Sequence, residues 1–132
     1  MAHEHRQDIQ AWLDYAAVDL SVAHTLFDLH RPQPYEIICY HCQQAAEKAI
    51  KGLFIFFDLP GGIPRKHDLT FLLNQMRHKV TVSEALRRQA DALSVYGVIS
   101  RYPNGIAVDE RRSRLALQNA ESILEWAKGL VD

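Results

Sequence analysis

Apolar residues recur every three or four positions at Ile38, Cys42, Ala45, Ala49, Leu53 and Phe56, with a second row beside them at Cys39, Ala46, Ile50, Phe54 and Phe57. This spacing predicts the middle and end of one long helix whose apolar arc is wide enough to touch two neighbouring helices. Small alanines at its centre allow close approach, and the phenylalanines fill the bottom of a core. His41, Gln44, Lys48 and Lys51 remain as a polar strip along one side, the first place to look for function.

Upstream, Ile9, Leu13, Ala16, Leu20, Ala23 and Phe27 form a seam that predicts a first helix from about Arg6 to Leu29, with Asp8, Gln10, Asp14 and Asp19 falling away from it. Pro32 and Pro34 interrupt the pattern and leave only a short link, so the first two helices should be antiparallel neighbours. Leu59 to Pro64 is dense in turn formers. A third helix is predicted to begin at His67 or Asp68 and to bury Leu69, Leu72, Leu73, Met76 and Val80. Thr81 to Glu84 suits a capping box for a fourth helix with Leu86, Ala90, Leu93 and Tyr96 inward, ending near residues 100–105 where Pro103 and Asn104-Gly105 break it. A last helix starts near Asp109, with Ala116, Ala120, Ile123, Ala127 and Leu130 as its seam and Leu117 and Leu124 alongside. No segment alternates with the two-residue period of a strand. The expected fold is all-α: an antiparallel up-and-down four-helix bundle with an additional short helix, as a single domain over residues 1–132.

Composition narrows the function classes. Hydrophobic residues make up 48% and charged residues 23% of the 132 residues, which suits a globular domain and not a disordered chain. A net charge of −1 and a pI near 6.6 argue against nucleic-acid binding through bulk charge, so any anion site must be local. No bilayer-spanning stretch or hydrophobic leader is visible, and a cytoplasmic protein is expected. Cys39 and Cys42 form a C-x-x-C inside a helical pattern, where they read as small core thiols and not as a redox or zinc motif. No metal and no cofactor is expected.

His41-Cys42-Gln43-Gln44-Ala45-Ala46-Glu47-Lys48-Ala49-Ile50-Lys51, the loop and His67-Asp68-Leu69 after it, and Arg101-Tyr102-Pro103 together resemble a prokaryotic HEPN domain over most of the chain. The resemblance implies a four-helix bundle with a short extra helix and usually a homodimer. It also implies binding of a nucleotide or RNA, a minimal nucleotidyltransferase as partner, and a place in toxin–antitoxin or defence modules. Many members of the family are metal-independent ribonucleases with an arginine followed, after four to six residues, by a histidine. Arginine there holds the scissile phosphate and histidine moves the proton. Arg101 lies in the matching region, but Ile106, Ala107 and Val108 occupy the positions where the histidine should fall. The family's nuclease motif is therefore absent after Arg101, and enzymatic activity is left open.

Three function classes follow. In the first, His41, Lys48, Lys51, Arg65, His67, Arg101 and Tyr102 make a nucleotide-binding site, with cations for a phosphate and an aromatic face for a base. In the second, a dimer brings His41 or His67 to Arg101 across a shared cleft, giving an unorthodox acid–base pair in a ribonuclease. In the third, the chain is a dimeric interaction scaffold, with Ile55, Val98, Ile106 and Trp126 as candidates for its contact surface. Structural alternatives stand beside each. Lys48 and Lys51 can be solvated charges, with Glu47–Lys51 a surface i,i+4 pair. His67 can serve the helix start, Gln43 and Gln44 can be buried groups fixing helix register, and Arg111, Arg112 and Arg114 can form a solvated mixed-charge face.

Overall fold

The computed structural model describes residues 3–97 and 108–132, which form five helices: α1 (His3–Leu29), α2 (Tyr35–Phe56), α3 (Leu69–Asn74), α4 (Glu84–Ser94) and α5 (Glu110–Val131). The bundle is antiparallel and all-α, with α1, α2, α4 and α5 as its four members and α3 as the short addition. No strand occurs among the described residues. The second helix is the hub, because it packs against each of the other four. The reason is its double apolar row: Ile38, Cys39, Cys42, Ala45, Ala46, Ala49, Ile50 and Leu53 are all fully buried.

The first two helices approach closely where glycine permits it. A Cβ placed on Gly52 would lie 3.1 Å from the Cβ of Trp12 and 3.8 Å from the carbonyl oxygen of Ile9. After α2 the chain turns through Asp58 (φ 50°), Gly61 (φ 85°) and Gly62 (φ 72°), left-handed backbone that glycine adopts without penalty. It then enters α3 at Asp68, whose carboxylate accepts from the Thr70 and Phe71 N–H groups at 3.0 and 3.2 Å. Asp68, and not His67, is thus the cap.

Three expectations about helix extent are corrected. The third helix ends at Asn74, before Met76 and Val80, because Met76, Arg77 and Lys79 donate three residues back instead of four. That tightening still carries Met76 fully into the core. At the fourth helix the cap is Ser83, whose Oγ accepts from the Leu86 N–H at 3.1 Å, and not Thr81. This helix also stops at Ser94, since Tyr96 and Gly97 donate to carbonyls three residues back. The expected end near residues 100–105 lies outside the described residues. The last helix begins as expected, with Asp109 accepting from the Arg112 N–H at 2.8 Å.

Both cysteines are fully buried, and burial pushes the Cys39 thiol up to about 12 and that of Cys42 higher still, so neither is a reactive thiolate at neutral pH. No helix among the described residues is long and apolar enough to cross a membrane. Of the candidate contact residues, Ile55 and Trp126 are half-buried against the core, whereas Val98 and Ile106 lie outside the described residues. The exposed large apolar side chains on α1 are instead Tyr15, Val18, Val22 and Leu29.

The α1–α2 contact gives a direct expectation. Gly52→Val should destabilise the fold by about 1–3 kcal/mol, as an overpacked site does, measured by urea unfolding.

Candidate functional site

The polar groups of α2 lie between His41 and Lys51, and helical geometry divides them into two sets. His41 and Lys48 are seven apart and turn toward α1. There the His41 Nδ1 donates to Asp19 Oδ1 at 3.0 Å, and the Lys48 ammonium pairs with the other carboxylate oxygen. Asp19 is only 8% exposed, so it does not fall away from the helix seam as its spacing suggests. The Lys48 charge and the His41 hydrogen bond from α2 offset its desolvation, which is the condition for burying a carboxylate at a helix contact.

Gln43, Glu47 and Lys51 are spaced four apart and turn toward the start of α3. Glu47 is 5% exposed and receives three donors. Gln43 Nε2 donates to its Oε1 at 3.0 Å, Lys51 Nζ to its Oε2 at 3.0 Å, and His67 Nδ1 to both oxygens at 3.0 and 3.1 Å. Gln43 also donates to the His67 carbonyl at 3.1 Å and accepts from Gln44 at 2.8 Å. Burial alone would push the Glu47 carboxyl up, but the hydrogen bonds from Gln43, Lys51 and His67 and the charge of Lys51 outweigh it and hold the group below its ordinary value. The Glu47–Lys51 pair is therefore a buried one, not a surface pair.

The His67 ring follows from this arrangement. An ionised carboxylate only accepts, so Nδ1 must carry a proton, which fixes the tautomer of the neutral ring and leaves Nε2 as its free lone pair. The side chain is 65% exposed, with its anchored nitrogen inward. Arg65 and Lys66, both exposed, precede it, and the Lys66 ammonium lies 6.0 Å from the Phe71 ring centroid. This is an oriented imidazole at the rim of a cationic loop, able to accept or donate one proton or to bond a phosphate oxygen.

The seven residues expected to form one site thus divide three ways. Lys51 and His67 meet at Glu47, with Arg65 two residues before that histidine; His41 and Lys48 meet at Asp19; and Arg101 and Tyr102 lie outside the described residues. The organising groups that the sequence pattern did not single out are the two carboxylates. One signal for Glu47 was present: it stands four residues from both Gln43 and Lys51 inside an otherwise apolar arc.

Fold and site together define a helical bundle with a polar site anchored on its central helix. The HEPN domain family model matches residues 9–130, and the chain belongs to that family. Two solved structures are similar. The crystal structure of ST0689, an archaeal HEPN homologue, is 27% identical with a TM-score of 0.76, over 94% of this chain and 98% of that one. The crystal structure of TT1696 from Thermus thermophilus is 28% identical with a TM-score of 0.78, over 92% of this chain and 96% of that one. A search of curated proteins finds no match.

Glu47→Gln keeps the shape but leaves the Lys51 ammonium without its counter-charge. It should cost about 3 kcal/mol or more in urea unfolding at neutral pH, with partial recovery in Glu47→Gln/Lys51→Met. The pH dependence has a definite sign. Because the folded pKa is lowered, the contribution of Glu47 is present above its ordinary value of 4.5 and is lost as pH falls through the lower folded value. Wild type should lose that share of stability on acidification below 4.5, and the Glu47→Gln variant should not.

Proposed function

We propose that this chain is a nucleotide- or RNA-phosphate-binding HEPN protein, a single domain that works as a homodimer with a minimal nucleotidyltransferase partner in a toxin–antitoxin or defence-type module. The observation that carries the binding part is the His67 ring, held by Glu47 with Nε2 outward and preceded by Arg65 and Lys66. Arginine offers a phosphate two parallel donors, lysine a point charge, and an outward imidazole a third bond that strengthens when protonated. The exposed apolar row Tyr15, Val18 and Val22 on α1 supports self-association, being a helix face left exposed among the described residues. The partner and the module follow from family resemblance.

One observation favours a second reading, a metal-independent ribonuclease with an atypical site. A carboxylate-anchored histidine is the usual form of a general base, since the carboxylate fixes the ring and stabilises the imidazolium that forms. In such a step Nε2 takes the proton of the 2′-hydroxyl, the 2′-oxygen bonds to phosphorus, and the 5′-oxygen leaves with a proton from a second group.

The two readings separate in one experiment on short single-stranded and structured RNAs in chelator. Binding without turnover, weakened roughly tenfold by Arg65→Ala and by His67→Ala, is the expected result. Turnover in chelator that His67→Ala abolishes would establish the ribonuclease instead. Sizing chromatography should show a dimer, and an adjacent nucleotidyltransferase that copurifies from native cells would support the module.

A further inference from the structure

The turn at residues 95–97 has two flanks. On one, Ser94 Oγ accepts from the Leu69 N–H at 3.1 Å and Gly97 faces Gln43, which places that side against the Glu47–His67 cluster. On the other, Val95 and Tyr96 face the first turns of α5 across a cleft of about 460 Å³. Leu93 and Ala116 give the cleft a buried apolar floor. Val95 and Leu115 also line it and are 43% and 51% exposed, so two large apolar side chains stand in solvent around one cleft.

The polar groups of the cleft come in both senses. Asn119 breaks the apolar seam formed by Ala116, Ala120 and Ile123. It is only 8% exposed, it lines the cleft, and its amide has no hydrogen-bond partner among the described residues. No fully enclosed side-chain polar atom among those residues lacks a partner, so the amide opens into the cleft. A carboxamide so placed has donors and an acceptor to satisfy at once. Toward the start of α5, Asp109 and Arg111 line the same cleft with opposite charges. One Asp109 oxygen accepts from the Arg112 N–H at 2.8 Å, which leaves the other open, and Arg111 is exposed without an ion pair among the described residues. A simple anion therefore meets the carboxylate and a simple cation meets the guanidinium. An uncharged occupant that carries both donors and acceptors satisfies carboxylate, guanidinium and carboxamide together.

We propose that this cleft binds an extended, uncharged peptide segment of a partner protein, with an apolar side chain at every second position. Each residue of such a segment presents one N–H and one C=O, and the Asn119 carboxamide pairs with both senses of bond. A further carbonyl of the segment accepts from Arg111, and a further N–H donates to the open oxygen of Asp109. From residue 112 to residue 119 the helix rises about 10 Å, the length of about three extended residues. Alternate side chains of an extended chain point the same way, so two of them enter the cleft, over Leu93 and between Val95 and Leu115, while the one between them faces solvent. The cleft shares no residue with the Glu47–His67 cluster, so this inference stands or falls separately from phosphate binding there.

The test is titration of the full-length protein with capped pentapeptides, acetylated and amidated, in which serine alternates with leucine, valine or phenylalanine, followed by amide NMR shifts. Saturable binding is expected for at least one of them, with shifts at Leu93, Val95 and Leu115 and at the Asn119 side-chain amide. Asn119→Leu, an apolar side chain of similar size, and Leu115→Ser, at an exposed position that folding tolerates, should each weaken binding about tenfold. The same peptide with its central amides N-methylated, or with its two apolar residues adjacent, should weaken it to a similar extent, and His67→Ala should leave it unchanged. The proposal is overturned if none of the peptides saturates the protein, if the N-methylated or adjacent forms bind equally well, or if Asn119→Leu and Leu115→Ser bind as wild type while folded by circular dichroism. Failure of RNA binding at the His67 site with peptide binding intact would count against the proposed function and leave this cleft standing.

Discussion

A negative charge sits inside the helix that every other helix touches, and much of the structure on that side of the bundle answers to it. Glu47 projects from α2 with 5% of its surface exposed, a position that costs several kcal/mol for an unpaired ion. Three donors offset that cost, and they come from two sources. Gln43 and Lys51 belong to the same helix and are in place once it forms. His67 comes from the far end of the link after α2, so its bonds draw that link back across the bundle. The carboxylate therefore fixes the far end of a link whose earlier residues Phe57, Leu59 and Ile63 pack against the core.

The consequences spread from that anchor. With His67 fixed, Asp68 is placed to cap α3, and Leu69 enters the core with its N–H on Ser94 of α4. The same Gln43 that bonds Glu47 also bonds the His67 carbonyl, so side chain and backbone of one residue are held together. Buried ion pairs of this sort add little net stability compared with an apolar replacement, and their value lies in specifying one arrangement. A row of leucines in place of Gln43, Glu47 and Lys51 would pack the bundle but would not say where the imidazole of residue 67 belongs. That is the link between the core of α2 and the exposed chemistry at its rim.

Much of the fold was legible because helices declare themselves through spacing and caps through residue type. The apolar rows of α1, α2 and α5 became their buried faces, and Asp109 and Asp68 stand where a cap was expected or offered. The ends of α3 and α4 were not legible, since a change from four-residue to three-residue hydrogen bonding leaves no mark in hydrophobic period. The site was legible only in part. Period analysis assigns charged residues to solvent, so Asp19 looked like surface and Glu47 looked like half of a surface pair. Only the tertiary fold shows that Asp19 meets Lys48 and His41 of α2, that Glu47 meets Lys51 of its own helix and His67 beyond the loop, and that His41, Lys48 and Lys51 of the strip serve two carboxylates instead of one ligand.

That division changes what the absence of a histidine after Arg101 means. A nuclease motif places its cation and its proton carrier within a few residues, so losing one member removes the pair. Here an oriented imidazole is supplied from a different part of the chain, with a buried carboxylate behind it and cations beside it, and its orientation does not depend on residues 101–108. A histidine so held has the same physical virtues whether it binds or catalyses: a fixed ring, a defined tautomer and an exposed second nitrogen. What separates the two outcomes is a second proton-transfer group across the bound phosphate, because cleavage needs an acid for the leaving oxygen as well as a base for the attacking one. Lys51 and Gln43 cannot serve, being buried and committed to Glu47, and Lys48 is committed to Asp19. The groups beside His67 at the rim are Arg65 and Lys66, which offer a phosphate charge and hydrogen-bond donors. That inventory favours holding a phosphate over cutting it.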